Sequence, residues 1–340
     1  MQPLSGWPFR IGLVGAGRMG RTHLRALAGS DAVKVTAIAE MSPTAREAVA
    51  ATGAAVYESV AEMLDRAALD GVLIAAPTDQ HGAIIAEVAA RGRPILCEKP
   101  CGLTAAAAQA SAQVAALAGV PLQVAYWRRF VPGLRQLHDR IAAGELGVIH
   151  LVTCYQWDER PPSPVFRAHS GGIAIDMGVH EFDQLRWLTG QDVASLAVVS
   201  SGSAPDGIAD VDGAQVVLTL SAGATGFISL GRYFRVGDAV WAEAFGTEGH
   251  ERCDVIDPAE GEVVQLEALR AQAESFASFA AGGPCQGATA ADAIAALTAA
   301  ERVTAAIPAL HPGQHVAGQH VAGQHVSDGL PPSYRHRPGG

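Results

Sequence analysis

Between residues 10 and 125 short apolar runs alternate with longer alanine-rich segments. The runs occupy residues 10–14, 33–39, 71–75, 94–97 and 122–125, and the stretches 21–28, 44–51, 59–66, 82–91 and 104–118 carry helical spacing. Strands separated by helices of this length predict right-handed βαβ units and a parallel sheet covered on both faces. Helix starts are marked by Ser42 before Pro43, by Ser59 with Glu62 three residues on, and by Thr104. A hydroxyl at such a position accepts from the first unbonded N–H groups of the helix. Near residue 148 the rhythm changes. Alternating β-branched runs at 148–155, 193–200, 214–220, 225–230 and 240–246 are separated by Gly, Asp and Ser turns. They predict a large, mostly antiparallel open sheet. One helix is expected early in this half, over 172–188, and two more near 269–281 and 288–306 close the fold.

The pattern predicts an α/β chain with a doubly wound parallel sheet over residues 1–125 and an α+β domain over 126–308. Residues 309–340 are rich in Gly, Pro and His and repeat Gly-Gln-His-Val from 313, 318 and 323. A repeat this short and polar buries no core, so a disordered tail is expected, with His315, His320 and His325 solvated rather than holding a metal.

Composition narrows the function. A chain of 340 residues is too long for one ordinary core, and 49% hydrophobic with 17% charged residues is a globular balance. A net charge of -10 speaks against nucleic acid and anionic membranes as partners and leaves a small neutral substrate open. Five scattered cysteines without a CxxC pair fit reduced thiols and a cytoplasmic setting. No signal peptide and no transmembrane run of 18 apolar residues is read from the sequence.

The first strand runs into Gly15-Ala16-Gly17-Arg18-Met19-Gly20 and then a helix. Gly15 permits the tight turn, Gly17 lets the backbone approach a pyrophosphate, and Gly20 lets the helix pack on the strand. The N–H groups at the helix start then face the phosphates. Glu40 ends the second strand, where a carboxylate accepts from the adenosine ribose hydroxyls and repels a 2′-phosphate. The pattern predicts a Rossmann dinucleotide site, the alternative being a glycine turn beside a surface glutamate, with NAD favoured over NADP. Arg46, close by in sequence, is the one feature pulling the other way. Pro77, Thr78 and His81 follow the fourth strand, where ligands of open parallel sheets sit. His81 either lines the cofactor cleft or merely begins a helix.

Two segments carry the chemistry. The fifth strand delivers Glu98-Lys99-Pro100 to the edge that holds the glycine loop. Of 24 basic residues only Lys34 and Lys99 are lysine, so Lys99 stands out in a chain that otherwise uses arginine. A lysine offers a compact ammonium whose acidity burial can tune. The second segment, Gly171-Gly172-Ile-Ala-Ile-Asp176-Met-Gly-Val-His180, puts a carboxylate and an imidazole four apart, on one face of a helix. Such a carboxylate fixes the tautomer of the imidazole. Alone, the pair reads more readily as a core histidine satisfied by an acid.

The glycine loop, Glu98-Lys99-Pro100 and Gly171-Gly172 with Asp176-x-x-x-His180, in this order, resemble the Gfo/Idh/MocA oxidoreductases over roughly residues 8–308. The stretch around Ser170–Asp183 is similar to the inositol 2-dehydrogenase branch. The resemblance implies a cytoplasmic NAD-dependent enzyme that oxidises a secondary alcohol of a cyclitol or sugar, with Lys99, Asp176 and His180 as catalytic trio. His180 would take the hydroxyl proton, Asp176 would orient it and bond the substrate, and Lys99 would stabilise alkoxide charge; no metal is called for. Trp127 and Arg128, after the sixth strand, and Asp158, at the end of the first strand of the second domain, would contact the polyol. Alternatively Arg129 and Phe130 of the first of these segments only pack the domain junction. Pro161, Pro162, Pro164 and the bulky Trp127 depart from a simple inositol dehydrogenase, so the motifs mark reaction rather than substrate. A homodimer or homotetramer through the second sheet is also implied. Two other readings share these motifs: a sugar oxidoreductase that never releases its cofactor, and a non-catalytic NAD-binding regulator. An intact proton acceptor argues against the regulator.

Overall fold

The computed structural model describes residues 8–201, 210–260 and 262–307. The expected disordered tail at 309–340 lies outside these residues.

The first half runs β1 (Phe9–Val14), α1 (Arg18–Leu27), β2 (Val33–Ala39), α2 (Pro43–Val49), β3 (Ala55–Tyr57), α3 (Val60–Arg66), β4 (Gly71–Ile74), α4 (His81–Ala89), β5 (Ile95–Cys97), α5 (Ala105–Leu117) and β6 (Leu122–Val124). Caps act where the sequence places them: the side chains of Ser42, Ser59 and Thr104 accept from the N–H groups of Ala45, Glu62 and Ala107. The six strands pair in parallel in the order β6-β5-β4-β1-β2-β3. Order therefore reverses between β1 and β4, and a crevice opens at the carboxyl ends of these two strands.

The second half runs α6 (Pro132–Ala142), β7 (Ile149–Asp158), α7 (Pro164–His169), a π turn at Ala174–Gly178 leading straight into α8 (Val179–Thr189), then β8 (Val193–Ser201), β9 (Gly213–Leu220), β10 (Thr225–Arg232), β11 (Ala239–Gly246) and β12 (His250–Ile256). Its sheet has the order β12-β11-β7-β10-β9-β8 and is antiparallel except for β7 with β10. Strand β12 and helix α6 were not foreseen. The single helix expected over 172–188 is instead a π turn followed by an α-helix, a difference that bears on the site.

The boundary at 125/126 does not confine the rest of the chain to the second sheet. After β12 the chain returns as α9 (Val263–Ala280), β13 (Ala288–Thr289) and α10 (Ala290–Ala306). Strand β13 adds antiparallel to β6 at the edge of the first sheet. Helix α9 packs on the first sheet, with Ala273 and Phe276 in one buried cluster with Ile11, Leu13 and Ile38. Arg270 Nε donates to the Ala26 carbonyl at 2.9 Å and Ser30 Oγ to Glu274 at 2.6 Å. Alternation along α9 reports only that one face is apolar, not which sheet covers it.

Candidate active site

Every sequence-predicted site residue except Gly20 lines one cleft of about 1880 Å³ between the two sheets. At its dinucleotide end, Gly15 adopts φ +91°, and a Cβ there would lie 2.8 Å from the Ala75 carbonyl oxygen of β4's end. A Cβ on Gly20 would lie 2.0 Å from the Gly15 carbonyl oxygen, which is why α1 starts so close to β1. At Gly17 a Cβ would meet nothing within 4 Å, so the backbone at the start of α1 faces open cleft. No side chain caps that start, leaving its N–H groups for phosphate oxygens; Arg18 and Met19 flank it.

Glu40 bends back over the loop. Its two oxygens accept from the N–H of Ala16 at 2.7 Å and of Ser42 at 2.8 Å. The carboxylate thus stands where a ribose diol would lie, and its charge opposes a 2′-phosphate. Arg46 is turned away: Nη1 donates to the carbonyls of Glu40 and Met41 at 3.0 and 2.9 Å, and Nη2 to Glu58 at 2.9 Å. These residues fit NAD. Pro77 and Thr78 continue the lining. His81 lines the cleft, but its ring nitrogens lie 2.9 Å from the carbonyl oxygens of Pro100 and Ala76, one of which receives its N–H. It braces the β4 loop against the β5 loop rather than offering an atom to a ligand.

Beyond β5, Lys99 Nζ donates to the backbone carbonyl of Asp176 at 2.8 Å, joining the two halves of the cleft. Burial lowers the ammonium's pKa, against the opposing pull of the Asp176 and Glu98 carboxylates. Glu98 is itself buried, and its oxygens go to His23 Nε2 at 2.7 Å and to the Lys99 N–H at 3.0 Å. Burial disfavours that carboxylate, but His23 and Lys99 outweigh it and hold its pKa below the usual value. Both oxygens of Glu98 therefore serve the protein. His23, fully buried on α1, was missed; one histidine on the inward face of a helix gives no signal that separates it from core.

His180 sits at the start of α8, edge-on to the Tyr126 ring with centroids 5.8 Å apart. Its Nδ1 has no hydrogen-bond partner among the described residues. Burial, then the charges of Lys99 and Arg128, push its pKa well down, so the imidazole is neutral at physiological pH. The expected bond from Asp176 is absent. Residues four apart lie near one face of a helix, and Asp176 stands in the π turn at Ala174–Gly178 that precedes α8, yet its carboxylate is turned elsewhere. Its carboxylate lies instead 3.6 Å from Arg232 Nη2.

Arg128 is 4% exposed. It pairs with the buried Glu181 through Nη1 and donates to Gln156 Oε1 at 2.7 Å through Nη2. Buried charges require such partners, and the expected hydrogen bond to a polyol competes with them. Trp127 lines the cleft beside it, whereas Arg129 is taken up by Asp183 at 2.6 and 2.9 Å. Asp158 ends β7 facing the cleft; burial, with Asp238 and Asp176 nearby, pushes its pKa up to about 6. Glu181 and Gln156 also escaped the sequence reading, because their roles exist only through partners far along the chain.

Both halves of the chain have counterparts among known proteins. Residues 9–126 match the oxidoreductase family with an NAD-binding Rossmann fold, and residues 134–251 match the GFO/IDH/MocA C-terminal domain. The chain is 51% identical over 298 residues to the rhizopine catabolism protein MocA of Rhizobium meliloti, covering 87% of this chain and 94% of that protein. It is 32% identical over 243 residues to inositol 2-dehydrogenase of Rhizobium meliloti (strain 1021), covering 71% and 74%. A scyllo-inositol dehydrogenase from Lactobacillus casei, solved with NAD(H) and scyllo-inositol, superposes with a TM-score of 0.78 at 25% identity, covering 88% of this chain and 96% of that one. With both domains matched, the chain belongs to the Gfo/Idh/MocA family of NAD-binding oxidoreductases.

Proposed function

We propose that the chain oxidises a secondary hydroxyl of a cyclitol or closely related sugar, with Lys99, Asp176 and His180 as the residues that do the work. The observation that carries this reading is the convergence at the cleft: Lys99 from β5 meets the π turn at 2.8 Å, beside an imidazole kept neutral by burial. The names of the inositol dehydrogenase relatives support a polyol rather than another alcohol.

NAD, held by Gly15, Gly17, the start of α1 and Glu40, supplies the hydride acceptor. The protein's own part is proton chemistry and placement. His180 accepts the hydroxyl proton on its imidazole. Lys99 donates to the oxygen as alkoxide character develops, an electrostatic contribution strengthened by the low-dielectric site. Once protonated, the imidazolium is opposed by Lys99 and Arg128 and by lack of water, so it returns its proton readily to the cleft. Asp176 and Asp158 present carboxylates to the other hydroxyls, and Trp127 supplies an apolar wall.

The outer face of the second sheet supports a homodimer or homotetramer. Tyr155 stacks on Trp241 with centroids 4.4 Å apart and meets Phe227 edge-on, while Val199 and Val217 are 69% and 51% exposed. An apolar sheet face of this kind asks for a cover. Among the described residues no helix is long and apolar enough to cross a membrane, and the buried unpaired cysteines fit the cytoplasm.

A screen of inositols, other cyclitols and sugars with NAD, followed by absorbance of the reduced cofactor, tests the activity. Turnover of an inositol is expected. No turnover with any polyol or sugar, despite measured NAD binding, would overturn it.

A further inference from the structure

Among the described residues Arg232 is the largest fully buried side chain, at the carboxyl end of β10 and in register beside Asp158 of β7. A guanidinium is rarely buried without filled hydrogen bonds. Here Nε, Nη1 and Nη2 all lack a hydrogen-bond partner among the described residues, although two carboxylates stand close. Asp210 Oδ2 is 3.0 Å from Nη1, and Asp176 Oδ2 is 3.6 Å from Nη2. Asp210 is a hub in its own right. It accepts from Arg167 Nε at 2.8 Å and from the N–H groups of Ile173 and Val211, both at 2.9 Å. Ile173 immediately precedes the π turn that carries Asp176. One carboxylate therefore grips the start of the catalytic turn and, on its other side, faces the arginine that reaches the turn's own acid.

The geometry points to Arg232, seated on Asp210, as a positioning residue for Asp176: it draws the carboxylate toward the end of β10 and away from His180. Two consequences follow from the arrangement. The imidazole is left without an acidic partner, and the carboxylate is fixed over the sheet end, where Asp158 also faces the cleft. The backbone carbonyl of the same residue stays free to receive Lys99. Arg232 does not itself line the cleft, so it acts only through Asp176. The inference rests on the proposed role of Asp176 toward the polyol.

The test is a double-substitution cycle in the full chain with Asp176→Asn, Arg232→Met and both together, and with Arg232→Lys as the conservative form. The readouts are kcat and KM with myo- and scyllo-inositol, calorimetric binding of the same inositols in the presence of NADH, and NAD affinity. Arg232→Met is expected to lower kcat/KM and inositol affinity by roughly 10–100-fold, the worth of one contact to a charged group. NAD affinity should stay unchanged, and Arg232→Lys should recover part of the loss. In the Asp176→Asn background the same substitution should cost little more. Equal loss in both backgrounds, or a loss confined to NAD binding, overturns the inference while leaving the proposed activity standing. If Asp176→Asn alone leaves inositol binding and turnover intact, the role of Asp176 falls and the inference with it. Should Arg232→Met fail to fold, Arg232→Lys and Asp210→Asn carry the same cycle, with the same outcomes deciding it.

Discussion

The dinucleotide side of the cleft is assembled from neighbours, and the catalytic side from strangers. Gly15 to Gly20 are consecutive with the strand and helix they join, and Glu40 is only 24 residues from the Ala16 N–H it accepts from. On the other side Lys99 meets Asp176 across 77 residues, Arg128 meets Glu181 across 53 and His23 meets Glu98 across 75. The first side recognises its ligand largely through backbone and one carboxylate. The second consists of charges buried together, each depending on the others for its partners. The two sides should therefore respond differently to substitution: catalytic changes should be steep and coupled, cofactor changes shallow and separable.

The steepest effect is expected at His180. His180→Ala should cut kcat by roughly 10²-fold or more, the usual worth of a positioned proton acceptor, with NAD affinity nearly unchanged. Steady-state kinetics with an inositol and fluorescence titration with NADH measure the two separately; comparable losses in both would erase the distinction between the sides. Because burial depresses the imidazole, the acid limb of kcat/KM assigned to it should lie below its ordinary value of about 6.5.

Lys99→Arg should follow, with a roughly 10-fold or larger loss in kcat although the charge is kept. A planar fork does not reproduce the single 2.8 Å bond from Nζ to the Asp176 carbonyl. Wild-type kcat in this variant would reduce Lys99 to a source of charge.

On the cofactor side the effect should be smaller and should move in KM. Glu40→Ala removes a charge-assisted acceptor for the ribose, worth about 1.5–3 kcal/mol. The expectation is a roughly 10-fold or greater rise in KM for NAD, an improved relative use of NADP, and little change in KM for inositol. Unchanged NAD against NADP preference would remove Glu40 from cofactor selection. Because Glu40 also holds the N–H of Ala16, Glu40→Gln separates the two duties by keeping one acceptor oxygen without the charge.

The same contrast explains what the sequence made legible. Local signals translate directly: Ser59 with Glu62 caps α3, Gly15 forces its turn, and the β-branched runs from 193 to 246 become strands of the second sheet. The Lys99–Asp176 meeting followed from family resemblance, since no periodicity brings residues 77 apart together. Three features stayed hidden for the same physical reason. The π turn differs from an α-helix by one residue per turn, and composition does not encode that. Helix α9 shows an apolar face without naming the sheet it covers. Arg232 terminates an apolar strand as many solvated arginines do, and only the packed structure reveals that it is buried against Asp176 and Asp210.

The smallest expected effect concerns stability, and its sign separates two residues of one site. Asp158 is raised from 3.8 to about 6 in the folded chain. Between those values the folded state binds more protons than the unfolded one, so this contribution to stability is complete below about 3.8 and is lost as pH rises through 6. At pH 7.5 the ionised carboxylate costs at most roughly 3 kcal/mol. His180, depressed by burial, has the opposite dependence: the unfolded chain binds the proton first, so stability falls as pH drops below about 6.5. Asp158→Asn keeps the shape and the bond from Gln156 while removing the charge. It should raise Tm by several °C at pH 7.5, and the gain should vanish near pH 4, while kcat/KM for inositol falls. A gain at neutral pH with lost activity would mark Asp158 as a carboxylate kept for the substrate at the expense of the fold. A Tm change independent of pH would instead trace the effect to packing, and would leave Asp176 as the sole acid facing the polyol.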